Sequence, residues 1–180
     1  MNHSATIHSR RGQTLVEALV AISILTTGFV GIVALLNKSF QLNRTTTNDT
    51  QATYLASEGI EITKNLIDHD IYSGLPGNDY FGQSFPSTGH YYGIDFRTTT
   101  TAGLTVSNAT NTTPLYYDSN NHLFSYDSSA GTQTKFVRDI WVGRSSDGYE
   151  LDVRSTVTWS DAASSNSITL EDHFYDWHPL

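Results

Sequence analysis

The 180-residue sequence has no cysteine, which removes disulfide cross-links and the usual structural zinc spacings. Many small secreted domains use disulfides, but a folded region of about 110 residues can stand without them, so missing thiols leave the compartment open. Basic charge is scarce: 10 Lys and Arg face 18 Asp and Glu, a net charge of −8. Phosphate contacts need clustered Lys and Arg, so direct nucleic-acid binding is not expected. There is no repeat at solenoid spacing, and the length suits one modest domain. G-x-S-x-G, P-loop and dinucleotide fingerprints are missing, and none of the seven histidines forms an H-E-x-x-H pair. Nothing supports catalysis, and no cofactor is expected.

What the chain does have lies at its start. A polar leader ends in Arg10, Arg11 and Gly12, and residues 15–36 form an apolar run with one charge, Glu17. As a helix at 1.5 Å per residue, that run spans roughly the 30 Å hydrocarbon core of a bilayer. By the positive-inside rule, Arg10 and Arg11 hold the N-terminal end in the cytoplasm and send the remainder outward. A carboxylate at Glu17 costs several kcal/mol in a membrane unless it finds a partner. Cutting after Gly12 would supply one, since the new α-amino group of Gln13 lies one helical turn from Glu17, on the same or a neighbouring copy. An ordinary secretory signal would show a shorter apolar core and an A-x-A-like site, neither of which is present. A twin-arginine signal would not carry Glu17 at the head of its apolar region. A plain signal anchor leaves Glu17 unexplained.

Gly12-Gln13-Thr14-Leu15-Val16-Glu17, followed by an uncharged run, resembles the cleavage and methylation signal of type IV pilins and type II secretion pseudopilins. The resemblance implies that a prepilin peptidase/methyltransferase cuts after Gly12 and N-methylates Gln13. It also implies that Glu17 guides packing into a filament with other pilin subunits, on an inner-membrane assembly platform. Before assembly the partner is the lipid bilayer. The chain would be single-pass in the cytoplasmic membrane, then part of an extracellular or periplasmic filament. Many members have Phe where this chain has Gln13, and many major pilins have a proline where it has Ala34. Gly28 and Gly31 are the positions expected to loosen the helix instead, each costing up to about 1 kcal/mol relative to alanine.

After Leu36 the chain turns polar, and apolar spacing resumes at Ala52, Leu55, Ala56, Gly59, Ile60, Thr63 and Ile67. That is an i, i+3, i+4, i+7 stripe, with Glu58, Glu61 and Lys64 off it. The helix is therefore expected to leave the bilayer without ending, from about residue 14 to 67. Residues 54–61, YLASEGIE, look like the same region of minor pilins in the type IV pilus modification family, as does the closing V-x-V-x-W … I-T-L-E-D pattern. Residues 68–114 read as an irregular connection with strands at 91–97 and 104–108. Residues 115–117 and 123–126 flank Asp118-Ser119-Asn120-Asn121 as a hairpin. Strands follow at 136–142 and 151–159, then a polar loop at 160–166 and a last strand at 168–175.

The expected fold class is α+β: one long N-terminal helix packed against a C-terminal antiparallel sheet. The expected division is a leader at 1–12, a transmembrane and assembly helix at 13–67, and a β-rich head at 68–180. Asp118, Asn120 and Asp127 offer oxygen ligands of the kind calcium prefers but lack EF-hand spacing, and turn chemistry is the simpler account. Asp68-His69-Asp70 reads as a solvated helix end, and His173 as a strand residue. Tyr72, Tyr80, Phe81, Phe85, Tyr91 and Tyr92 are expected mostly to pack the core. The functional expectation is a minor pilin. Its alternatives are a type II secretion pseudopilin and a signal-anchored binding domain that never polymerises.

Overall fold

A computed structural model describes residues 11–73, 85, 88–99, 104, 106–107, 110–129, 131–161 and 164–176, without the side chains of residues 11–13, 106 and 107. Helix α1 runs Arg11–Ser73. Among the described residues seven strands follow: β1 His90–Tyr92, β2 Val106–Ser107, β3 Pro114–Asp118, β4 Leu123–Ser125, β5 Thr132–Arg144, β6 Glu150–Asp161 and β7 Ser164–Tyr175. The arrangement is α+β, one long helix and then an antiparallel sheet. Two compact units divide inside the helix, Met1–Thr47 and Asn48–Leu180.

In the first unit the described residues are all helical. Its polar residues do not break the apolar segment, because they turn their hydroxyls onto the helix itself. Ser23 donates to the Leu19 carbonyl at 2.8 Å, and Thr26 and Thr27 donate to the Ser23 carbonyl at 3.0 and 2.8 Å. The threonines after the apolar run repeat the device: Thr45 donates to Gln41 O and Thr47 to Asn43 O. Such back-bonding satisfies a hydroxyl where no water is available and leaves the helix continuous.

The second unit is built on β5. One edge of this long strand pairs with β6 from Phe136 to Arg144. The other edge is shared, with β3 alongside its first half and β1 alongside its second. β6 pairs in turn with β7. The β5–β6 turn closes through Gly148 N–H on Ser145 O at 3.0 Å, with Gly148 at φ 82°, a conformation glycine adopts freely. The β3–β4 turn places His122 at φ 59°.

One face of this sheet meets residues 52–67 of α1. The alternating residues Leu151, Val153, Ser155, Val157 and Trp159 are all buried, as are Phe136, Arg138, Ile140 and Val142 beside them. On the helix the buried set is Ala52, Leu55, Ala56, Gly59, Thr63, Leu66 and Ile67. Each large aliphatic side chain buried this way contributes roughly 1.5–3 kcal/mol. The core falls into two clusters, one around Leu66, Ile67, Tyr92, Ile140 and Val153, the other around Leu55, Ala56, Phe136, Val157 and Trp159. Phe85 and Tyr92 meet edge-on at 5.5 Å in the first cluster.

Several sequence expectations change here. The polar loop expected at 160–166 is mostly strand: pairing continues to Asp161 opposite Ser164, because the β6–β7 ladder outweighs the low strand propensity of Ser and Asn. The strand expected at 91–97 stops at Tyr92, where Asp95 begins a turn: its carbonyl accepts from Thr98 N–H at 2.9 Å. The strand expected at 104–108 is two residues, Val106–Ser107. The helix runs past Asp68-His69-Asp70 to Ser73 instead of ending there. Tyr72 is 92% exposed, so it is not core; Tyr80 and Phe81 lie outside the described residues.

Candidate functional site

The N-terminal site is a helix whose large apolar side chains are exposed among the described residues. From Leu15 to Leu36 the large apolar residues are 40–73% exposed, with Val33 the least and Leu25 and Leu35 the most. A globular core helix would bury one stripe, whereas this segment is apolar all round. It is long and apolar enough to cross a membrane, and none of its most apolar stretch is buried. Arg11, Gly12 and Gln13 occupy the first turn and Glu17 stands exposed in the second; Arg10 lies outside the described residues. Gln13 and Glu17 are four residues apart on one helix, so they lie on the same face. The helix passes through Gly28 and Gly31 without interruption, and a Cβ added at either would meet nothing within 4 Å.

The second notable site went unforeseen from sequence. Arg138, on β5, is fully buried between the two apolar clusters. Its guanidinium donates to Leu55 O at 3.0 Å, to Glu58 Oε2 at 3.0 Å and to Ile94 O at 2.9 Å. It therefore ties α1, β5 and the segment after β1 together at one point. Gly59 makes room for it: a Cβ there would stand 2.5 Å from Ser155 Oγ and 3.3 Å from Arg138 Cδ. The Arg138 carbonyl accepts from Tyr126 Oη at 2.7 Å and Asn111 Nδ2 at 3.3 Å. Neighbouring Asp139 receives the Asn111 backbone N–H, and burial pushes its carboxyl upward. Asp95 is also buried, accepting the N–H groups of Arg97 at 3.0 Å and Tyr126 at 3.1 Å.

The oxygen-rich loops are engaged in turn contacts. Asp118 accepts from Asn120 N–H and Asn121 Nδ2, both at 2.8 Å, and these bonds hold its carboxyl below the usual range. Asp127 accepts from Ser129 and, at 2.6 Å, from Arg97, which takes its pKa to about 2. His122 Nδ1 lies 2.8 Å from Tyr117 Oη.

On the outer face of the sheet the β6–β7 register gathers Glu150, Asp152, Arg154, Glu171 and His173. His173 Nδ1 is 2.8 Å from Glu150 Oε1, and its Nε2 is 3.3 Å from Glu171 Oε1. The bond to Glu150 raises the His173 pKa, and the nearby carboxylates of Asp152 and Glu171 push the same way. Arg154 pairs with Asp152 and Glu171 and lies over the Trp141 ring, 4.5 Å from its centroid. Single-strand reading made His173 a simple strand residue; only the register reveals its neighbours. Asp152, Glu171 and His173 lie close enough to share a cation, but exposed acidic groups often group in this way without one.

The prokaryotic N-terminal methylation motif matches residues 7–33. No curated protein and no solved structure gives a significant match to the chain. The motif is the type IV pilin signal, and over those residues it indicates type IV pilin-like or pseudopilin character. Such a signal implies processing by a prepilin peptidase and assembly with other pilins, and it points to a structural protein in place of an enzyme. The exposed apolar helix fits a membrane-anchored precursor.

Proposed function

We propose that the chain is a minor pilin of a type IV pilus or related filament. In this reading residues 1–12 are a leader removed after Gly12, residues 13–67 the transmembrane and assembly helix, and residues 68–180 the head. Arg10 and Arg11 hold the leader in the cytoplasm, which sends the head outward. Residues 15–36 then exchange lipid for the equivalent helices of neighbouring subunits, while Glu17 meets a methylated Gln13 amine. That ion pair sets axial register, because a subunit stacked out of register would bury both charges unpaired at a cost of several kcal/mol. The observation that carries the reading is the unburied apolar segment from Leu15 to Leu36, with Glu17 near its start inside the matched methylation motif.

The test is the intact mass and N-terminal peptide of chain recovered from membranes and from sheared surface filaments. Protein beginning at methylated Gln13 in the filament fraction is the expected result. Chain beginning at Met1 and confined to membranes would overturn the reading and leave a signal-anchored domain. A type II secretion pseudopilin shares the processing and is told apart by the filament that contains it.

A further inference from the structure

The sheet has one long open edge among the described residues. β7 pairs with β6 on one side through twelve consecutive residue pairs, with no register shift. No described strand lies on its other side. The remaining outer strands are short, two residues in β2 and three in β4. Natural sheets protect an edge of this length with proline, a bulge, a cover or charged side chains, and on β7 the charges are the acids Glu171 and, on the inner face, Asp172. β7 has no proline, lysine, arginine or bulge.

Its side chains indicate what would pair there. On the helix-facing side Ile168, Leu170 and Phe174 are only half-buried at the margin of the core. A further strand with apolar residues on that side would finish covering them. The same strand would run past Glu171 on the outer face and Asp172 on the inner one; Glu171 lies opposite Arg154, the only Lys or Arg on β6 or β7, with Asp152 and Glu150 farther along that outer face. A second copy of β7 makes a poor partner, because it brings its own Glu171 and Asp172 and no base except His173.

We propose that the outer edge of β7 docks an extended strand from a different protein subunit, apolar on one face and bearing Lys or Arg where it passes Glu171 and Asp172. Main-chain hydrogen bonds would supply the affinity, and the acidic pair would choose the partner. The proposal rests on the pilin reading only in expecting that partner among co-assembled subunits.

The test uses the full-length chain in detergent micelles, so it does not depend on filament formation. The probes are a ten-residue synthetic peptide with lysine and threonine on one face and valine on the other save one lysine placed to pass Asp172, a twin with glutamate for each lysine, and the lysine peptide N-methylated at alternate residues. Amide hydrogen exchange is followed along β7. The lysine peptide should slow exchange there at least tenfold, with little effect from the other two. Replacing both acids, Glu171→Lys with Asp172→Lys, should transfer the protection to the glutamate peptide. Circular dichroism of that variant shows that it is folded. Absence of protection with every peptide would overturn the proposal, as would equal protection by the lysine and glutamate peptides. Slow exchange without peptide, together with a dimer in sedimentation, would overturn it in favour of a second copy.

Discussion

Two stretches of the same helix, residues 15–36 and 52–67, are both rich in apolar residues and end up in opposite surroundings. The first is apolar all round and leaves Leu25, Leu35 and Phe29 more than 60% exposed; the second is apolar on one stripe and buries Ala52, Leu55, Ala56, Leu66 and Ile67. The stripe is matched within the chain by the inner face of β5 and β6, so its environment is built in. The uniform segment has no such match among the described residues, and in the proposed assembly lipid and then other subunits surround it. Each stretch also has a carboxylate to set against its apolar character, Glu17 in the first and Glu58, beside the exposed Glu61, in the second. Glu58 has its cation inside the fold, in Arg138. Glu17 is exposed and, in the proposed assembly, has its cation on another chain.

Removing the intermolecular charge should separate the two stretches most sharply. Glu17→Ala is expected to leave membrane insertion and the melting of the head unchanged while filament incorporation falls to background. Immunoblots of membrane and sheared-filament fractions, with a thermal melt of the purified chain, read all three. Normal incorporation of this variant would refute the register role of Glu17.

The internal charge pair should break the other way, in stability. Arg138→Met deprives the Leu55 and Ile94 carbonyls of their donor and leaves Glu58 partly buried without a cation. Breaking a buried pair by removing one partner costs about 3–5 kcal/mol. Adding Glu58→Met should recover a large part of that loss, since a matched apolar replacement is often nearly neutral. Urea unfolding of the parent, both single variants and the double variant measures the coupling. A single Arg138→Met variant as stable as the parent would show that the contact carries no weight.

How far sequence reaches follows from the same residues. The alternation of Leu151, Val153, Ser155, Val157 and Trp159 and the helical stripe from Ala52 are local periodicities, and each was legible because a period needs no partner. The apolar run and the Gly12-Gln13 … Glu17 pattern were legible for the same reason. Period-two alternation puts Arg138 on the side of its strand that Phe136 and Ile140 share, but its contacts depend on Glu58 eighty residues earlier. No local pattern joins those two positions. The charged group around His173 depends on the β6–β7 register, which runs on to Asp161 opposite Ser164. Reading residues 160–166 as a loop hid that register.

Gly59 tests how closely the amphipathic stretch must approach its sheet. The space a side chain would need is already held by Ser155 Oγ at 2.5 Å and the Ile140 methyl at 3.1 Å. Gly59→Leu gains helix propensity, worth up to about 1 kcal/mol, but overpacks the interface by roughly 1–3 kcal/mol or more. A net loss in urea unfolding is expected. The same change at Gly28, where nothing lies within 4 Å, should leave the head's unfolding unaltered. A stabilised Gly59→Leu variant would mean that helix and sheet separate easily.

The smallest effect expected is a pH dependence from the outer face of the sheet, where water screens every pair. His173 faces Glu150, Glu171 and Asp152, with Arg154 and Tyr175 alongside, and its pKa is raised, chiefly by the bond to Glu150. A raised value means that the folded state binds the proton more tightly than the unfolded chain does. The stabilisation is therefore complete below the ordinary histidine value of about 6.5 and fades as pH climbs through the raised folded value. His173→Gln should lower Tm slightly at pH 6, and the gap from the parent should close by pH 9. A gap that stayed constant, or widened on the alkaline side, would remove the protonated histidine as its cause. A direct titration of the His173 ring by NMR would then show whether Glu150 holds the proton there at all.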